Sequence, residues 1–204
     1  MSNLIAAIDA GTSYHHVALN DERWAHMIDE RWYLPDLDQY DFSHVDVIIA
    51  TCRSNPDLLS PHKVRFQEFL DEGGTIVAFA GTDPAQWLPN IESKSVSTNY
   101  WWWLEADPQS ELEIASPKHP LFDALSLTEM TWHHHTRFIP PEGAVSLINH
   151  NDGSSVFYED KISTRGRLLI TGLDPFFHHG SYFMPATTRF LEKFLPWLND
   201  SSEV

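Results

Sequence analysis

Three short apolar runs constrain this chain more than any other feature. They are Leu4-Ile5-Ala6-Ala7-Ile8, Val45-Asp46-Val47-Ile48-Ile49-Ala50 and Thr75-Ile76-Val77-Ala78-Phe79-Ala80. A strand with one face in water alternates apolar and polar residues, whereas a continuous run is covered on both faces. Asp9-Ala10-Gly11-Thr12 ends the first run and Gly81-Thr82-Asp83-Pro84 ends the third, as loops do. Between the second and third runs a helix is expected. Ser60 serves as its N-cap and Pro61 as its first residue, with Val64, Phe66, Phe69 and Leu70 as the apolar side and Gly73-Gly74 as the end. This alternation predicts an α/β fold with a mostly parallel central sheet, a flavodoxin-like three-layer sandwich. Right-handed crossovers bring the carboxyl ends of such strands to one edge, where ligands of open sheets bind.

The remainder has weaker periodicity. Glu111 to Ile114 alternates like a half-buried strand. Ala144 to Ile148 and Ser155 to Tyr158 flank the turn signal Asn149-His150-Asn151-Asp152-Gly153. Arg167 to Thr171 is the last strand. The last helix is expected from about Pro185 to Leu198, with Phe190, Leu191, Phe194, Leu195 and Leu198 buried. No repeat or linker interrupts residues 1–204, so one domain is expected.

Charge narrows the partners. Thirteen Lys and Arg face 29 Asp and Glu, a formal net charge of −16. Such a surface repels phosphate backbones and anionic bilayers, which argues against nucleic-acid or membrane binding. The acids are dispersed, so solubility is their simplest role. The lone Cys52 allows no internal disulfide and suits a reducing, cytoplasmic setting. Met1-Ser2-Asn3 lacks the basic flank of a signal peptide, and no apolar run is long enough to span a bilayer.

Twelve histidines and eight tryptophans call for an explanation. On the expected sheet, Gly11 and Thr12 leave the first strand with His15 and His16 close behind. Cys52 and Arg53 leave the second, Gly81 and Thr82 the third, and Asp174, His178 and His179 the last. In Trp132-His133-His134-His135-Thr136-Arg137-Phe138, read as a strand, His133, His135 and Arg137 share one face. Two histidines at i and i+2 can ligate one divalent metal, and His178, His179 or Asp174 can complete an open site. The competing reading is structural: adjacent histidines without an established ligand spacing are often hydrogen-bonded packing groups. Histidine beside tryptophan also describes a sugar-binding surface, with stacking faces and polar edges. Cys52 is either a strand-end nucleophile or a small buried residue. Trp101, Trp102 and Trp103 are expected to be core plus one interface side chain, with a binding platform or a dimer contact as alternatives.

The segment from Tyr40 to Gly81, "YDFSHVDVIIATCRSNPDLLSPHKVRFQEFLDEGGTIVAFAG", resembles the strand–helix–strand unit of the class I glutamine amidotransferase-like superfamily, in particular its trehalose-utilisation (ThuA-like) branch. "HPLFDAL" at 119 to 125 and "GRLLITGLDPFFHHG" at 166 to 180 are similar to later landmarks of that branch. The histidines of the first loop, His15 and His16, fall where that branch tends to carry one. An amidotransferase of this class needs a cysteine at the elbow after the third strand and a downstream His-x-Glu. Here the elbow reads Ala78-Phe79-Ala80-Gly81-Thr82, and His-x-Glu is absent from the chain. Glutamine hydrolysis therefore has no nucleophile.

The expected function is a binding protein or hydrolase for a small polar, carbohydrate-related metabolite. Its acid–base groups or ligands are His15, His133, His135, Asp174 and His178. Gly11, Thr12, His16, Cys52, Arg53, Gly81, Thr82, His179 and Trp102 would line the ligand, and His133, His135 and His178 are the metal candidates. The alternative is a non-catalytic module that meets a protein partner or a second copy of itself. Histidines converging within ligand distance favour the first; scattered histidines beside a broad aromatic patch favour the second.

Overall fold

The structure is a computed structural model that describes residues 2–96 and 100–200; Met1 of the N-terminal reading lies outside them. Ten strands form one mixed sheet among the described residues. They are β1 (Ile5–Asp9), β2 (Glu30–Tyr33), β3 (Val47–Ala50), β4 (Thr75–Ala78), β5 (Glu92–Lys94), β6 (Leu112–Ile114), β7 (Arg137–Ile139), β8 (Val145–His150), β9 (Ser155–Asp160) and β10 (Arg167–Thr171). The helices are α1 (Ser13–Leu19), α2 (Pro56–Leu59), α3 (Lys63–Asp71), α4 (Leu121–Ala124), α5 (Pro175–Gly180) and α6 (Pro185–Asn199).

The strands run in the order β2-β1-β3-β4-β10-β9-β7-β5, with β8 also on β9 and β6 on β8. From β2 to β10 every pairing is parallel, and from β10 outward every pairing is antiparallel. The parallel half has the 2-1-3-4-5 order of flavodoxin-like sheets. The expectation of a mostly parallel sheet thus holds for one half and is corrected for the other. Hairpins joined by turns such as Asn151 to Ser154 need no crossover helix, so the second half folds back antiparallel.

Alternation sorts the parallel strands onto two cores. Ile5, Ala7, Val47, Ile49, Val77 and Leu169 face Phe190, Leu191, Phe194 and Leu195 of α6. Ala6, Ile8, Ile48, Ile76, Leu168 and Ile170 face Phe66, Phe69 and Leu70 of α3, with Trp32, Phe42 and Trp87. At about 25 cal/mol per Å² of apolar surface, these two buried faces are the main stabilising term. No helix among the described residues is long and apolar enough to cross a membrane.

The helix after β3 begins earlier than its sequence implied. Asn55 caps α2 by accepting from Asp57 N, and Pro56 takes the first position. Ser60 instead donates to Pro56 O, Pro61 sits in a 3-10 turn, and Val64 is exposed. The end is as expected. Gly73, at φ +102°, donates to Leu70 O, and Gly74 donates to Phe69 O, the paired bonds of a Schellman cap.

Candidate functional site

Two devices place the cluster at the carboxyl edge of β10. The first is the turn into α5. Asp174 stands immediately before the helix, so His178 lies one turn on, directly above it. The second is Gly172. A Cβ there would come within 2.0 Å of Thr136 O, so only glycine lets the 131–136 segment lie across the strand end. His135 N then donates to Gly172 O at 2.9 Å. The 132–136 segment is irregular backbone, not the expected strand, and β7 starts only at Arg137. His133 and His135 still reach one site, whereas Arg137 turns away to His150 and Asp152. His134 is buried beside His150, and burial first of all holds its pKa down at about 4.

The convergence is tight. His135 Nε2 is 2.8 Å from Asp174 Oδ2, and His178 Nε2 is 3.1 Å from Oδ1. His178 Nε2 also lies 2.9 Å from His133 Nε2, which is 4.0 Å from Oδ1. Trp132 Nε1 donates to Oδ1 at 3.3 Å, and Arg53 Nη2 to Oδ2 at 3.1 Å. One ligand atom from each of His133, His135, Asp174 and His178 lies within 4.8 Å of the others. Two donors opposite each other at 2.0–2.2 Å from one ion are at most about 4.4 Å apart, so the set must contract by less than an ångström to hold a cation.

Asp174 is fully buried. Burial alone would raise its pKa, but hydrogen bonds from His135 and His178 and their charges hold it well below the usual carboxylate range. Burial, against the pull of Asp174, brings His133 down to about 4, so its imidazole is neutral at pH 7. Nδ1 of both His133 and His178 is buried without a partner among the described residues. Metal-bound histidines usually donate that outer N–H to a carboxylate or carbonyl. A cation here would be held with less support than in such centres.

Aromatic rings surround the polar atoms. Tyr100 meets His133 edge-on at 5.0 Å, Trp103 lies nearly parallel to it at 6.4 Å, and Phe183 covers His178 at 5.4 Å. Arg53 sits over the Phe177 ring at 3.5 Å with a side chain 37% exposed. Its φ of +65° is rare for a residue with a side chain, a strain that concentrates at functional sites. A Cβ on Gly81 would meet the Arg53 backbone at 3.2 Å, which explains the glycine. Tyr100, Trp132 and Phe183 were not among the expected site residues, and Trp103 was expected there only as the binding-platform alternative for the tryptophan run. Only their proximity in space marks them.

The other sequence candidates lie outside the cluster. His15 is buried between the loops leaving β1 and β3. Its Nε2 pairs with Cys52 O at 2.8 Å, and its Nδ1 accepts from Ala10 N at 3.2 Å. Burial holds its pKa down. It fills the β1/β3 switch point, where a flavodoxin-like sheet would open its crevice, and the open groups lie further along, near β10. Thr12 caps α1 through His15 N, His16 faces Asn20, and Gly11 makes room for the Tyr33 ring. Cys52 is buried, and burial, then the Asp174 charge, pushes its thiol far up, so it is no thiolate nucleophile. Thr82 donates to Phe79 O. His179 points away, to Thr188 and Asp21. Trp102 touches Trp103, one ring removed from His133. The tryptophan run is not core: Trp101 is 61% exposed, and Trp102 and Trp103 are half-buried.

No family model matches the sequence, and no curated protein matches it. Solved structures match the fold. A cytoplasmic protein of Salmonella typhimurium, STM3548, aligns over 96% of this chain and 98% of its own with 10% identity and a TM-score of 0.57. A "putative gmp synthase subunit a protein" from Thermoplasma acidophilum aligns over 100% of this chain and 97% of its own, at 11% identity and TM-score 0.61. The exo-beta-1,4-mannosidase Op5Man5 from Opitutaceae bacterium strain TAV5 matches 98% of this chain with 36% of its own, at 14% identity and TM-score 0.54. At these identities the likeness is one of fold: the chain shares with these structures an α/β architecture, here built on a mixed sheet.

Proposed function

We propose that the chain binds a divalent cation through His133, His135, His178 and Asp174 and acts on a small polar, carbohydrate-related ligand, as a hydrolase. One observation carries this reading: one ligand atom from each of three imidazoles and a buried carboxylate lies within 4.8 Å of all the others. Two nitrogens 2.9 Å apart, each about 2.1 Å from one ion, subtend roughly 90°, which favours an octahedral ion over tetrahedral zinc. Such an ion would polarise a substrate oxygen or acidify a bound water. The protein's own part is to fix the ligands through Gly172 and α5, and to present Arg53 and His135, the more open groups, to the substrate. Tyr100, Trp103 and Phe183 offer flat faces of the kind that sugars stack on.

Glutamine hydrolysis is outside this reading, because Ala80 stands at the elbow and Cys52 is sealed and protonated. The motifs at 119 to 125 and 166 to 180 support a place beside the ThuA-like branch, as one domain spanning the chain. The mannosidase neighbour supports the carbohydrate class through its name alone. A cytoplasmic setting suits the single free cysteine. The second reading, a module for a protein partner or a second copy, draws on exposed Trp101, Leu104 and Tyr182 beside the site.

Elemental analysis of untagged protein, before and after chelation, tests the proposal, with His178→Ala and His135→Ala alongside. The expected result is stoichiometric manganese, iron, cobalt or zinc, absent from both variants and removed by a mild chelator. Metal-free protein that takes up none of these ions, with a melting point indifferent to them, would overturn it.

A further inference from the structure

The opposite end of β10 carries a second assembly. A cavity of about 670 Å³ opens there between α4, the end of β9, the start of β10 and α6. That is within the size range of small-molecule sites. Its floor is the buried pair Glu159 and Arg167, with Arg167 Nε donating to Glu159 Oε1 at 2.6 Å. The guanidinium lies over the Trp197 indole at 4.9 Å. No other side-chain hydrogen bond of Arg167 exists among the described residues, and its terminal nitrogens are not among the sealed atoms that lack partners. They therefore open onto the cavity that Arg167 lines.

The same carboxylate faces two more donors. Lys161 Nζ is 3.7 Å from Oε1, and His119 Nε2 is 3.3 Å from Oε2. Burial would raise the Glu159 pKa, but the His119 hydrogen bond and the Arg167 and Lys161 charges bring it down to about 2. One anion thus stands against two permanent cations, which leaves positive charge over on the floor of a chain whose net charge is −16. Elsewhere in the lining Lys193 pairs with Glu129, while Glu192 shares the single Arg23 with Asp21, so the positive excess is confined to the floor. Asp123 adds negative charge to the lining. Stability alone does not call for this design, because apolar residues of like volume commonly serve a core as well as a buried ion pair does.

We propose that this cavity binds a small monoanion with a flat apolar body, its carboxylate on the Arg167 terminal nitrogens and Lys161 and its ring beside Trp197. The lining acids would repel polyanions. The site is independent of the histidine cluster, since β10 separates Arg167 at its start from Asp174 beyond its end.

The test is titration calorimetry with benzoate, inorganic phosphate and benzylamine on the full chain. Benzoate should bind with a dissociation constant of about 1 mM or tighter, and phosphate and benzylamine at least tenfold more weakly. Lys161→Ala, on a half-exposed side chain, should keep the fold and weaken benzoate about tenfold, the usual loss for one charge-assisted bond. Arg167→Gln should abolish binding, and Lys161→Ala keeps the test valid if that buried substitution unfolds the chain. His178→Ala should leave benzoate affinity unchanged. Absence of benzoate binding to the wild type, full affinity in Lys161→Ala, or loss in His178→Ala would each overturn the proposal.

Discussion

Replacing Glu159 with Gln removes the charge that compensates Arg167 while keeping the shape. The magnitude follows from the carboxyl's displacement, from its usual 4.5 to about 2. At about 1.4 kcal/mol per unit, the ionised form contributes about 3 kcal/mol to folding at pH 7. That agrees with the about 3–5 kcal/mol lost when one partner of a buried pair is deleted. For a chain of this size the melting point should fall by about 6–12 °C. The sign of the pH dependence is fixed because the folded pKa is the lower one. The stabilisation is complete above the unfolded value near 4.5 and is lost as pH falls toward 2. Between pH 7 and pH 3.5 the wild type should therefore lose about 1.4 kcal/mol through this group that Glu159→Gln does not. Urea melts at the two pH values measure this as a narrowing gap between the proteins. Comparing the gap cancels Asp21, held low chiefly by its hydrogen bond with Arg23, which titrates in both. A gap that stays constant, or a variant as stable as wild type at pH 7, would contradict this role for Glu159.

Two further substitutions separate scaffold from site. Gly180→Ala puts a Cβ 1.9 Å from Tyr14 O, so α1 and α5 must part; about 1–3 kcal/mol of stability and the metal stoichiometry should fall together in melts and elemental analysis. His15→Ala orphans Cys52 O and Ala10 N at the β1/β3 switch point; it should cost about 2–4 kcal/mol in a urea melt yet leave metal content at wild-type level, and a loss of metal would place His15 with the cluster.

The parallel half of the sheet was legible because its signal is local. Ile48-Ile49-Ala50 and Thr75-Ile76-Val77-Ala78 are apolar on both faces, and Gly73 marks the end of α3 without help from the rest of the chain. The antiparallel half was legible at the β8–β9 hairpin, where the turn declares itself, and at β6, where Glu111 to Ile114 alternates. β5 and β7 are three residues each, too short for periodicity, and exist because β9 and each other supply their partners. In the site, Asp174 and His178 could be paired from their spacing around a strand end, and His133 with His135 from their i, i+2 spacing. The reason the two pairs meet was hidden. It rests on Gly172, whose bare Cα admits the 131–136 segment, and a lone glycine after a strand carries no such message. His15 misled for the converse reason: the sequence locates it at the right edge but does not show that its ring nitrogens are already engaged by Cys52 and Ala10.

The place of β10 in the sheet also governs how the chain is made. β4 lies in the middle of the finished sheet, yet its outer neighbour arrives only after residues 79 to 166 have been synthesised. At ~5–20 residues per second, a nascent chain holds the Thr75–Ala78 edge unpaired for roughly 4–18 s. That edge is short, apolar and uncharged, the kind that pairs with the wrong strand. Ribosome-bound chains halted before Arg167 should therefore depend on chaperones, and that dependence should vanish once Thr171 has cleared the exit tunnel.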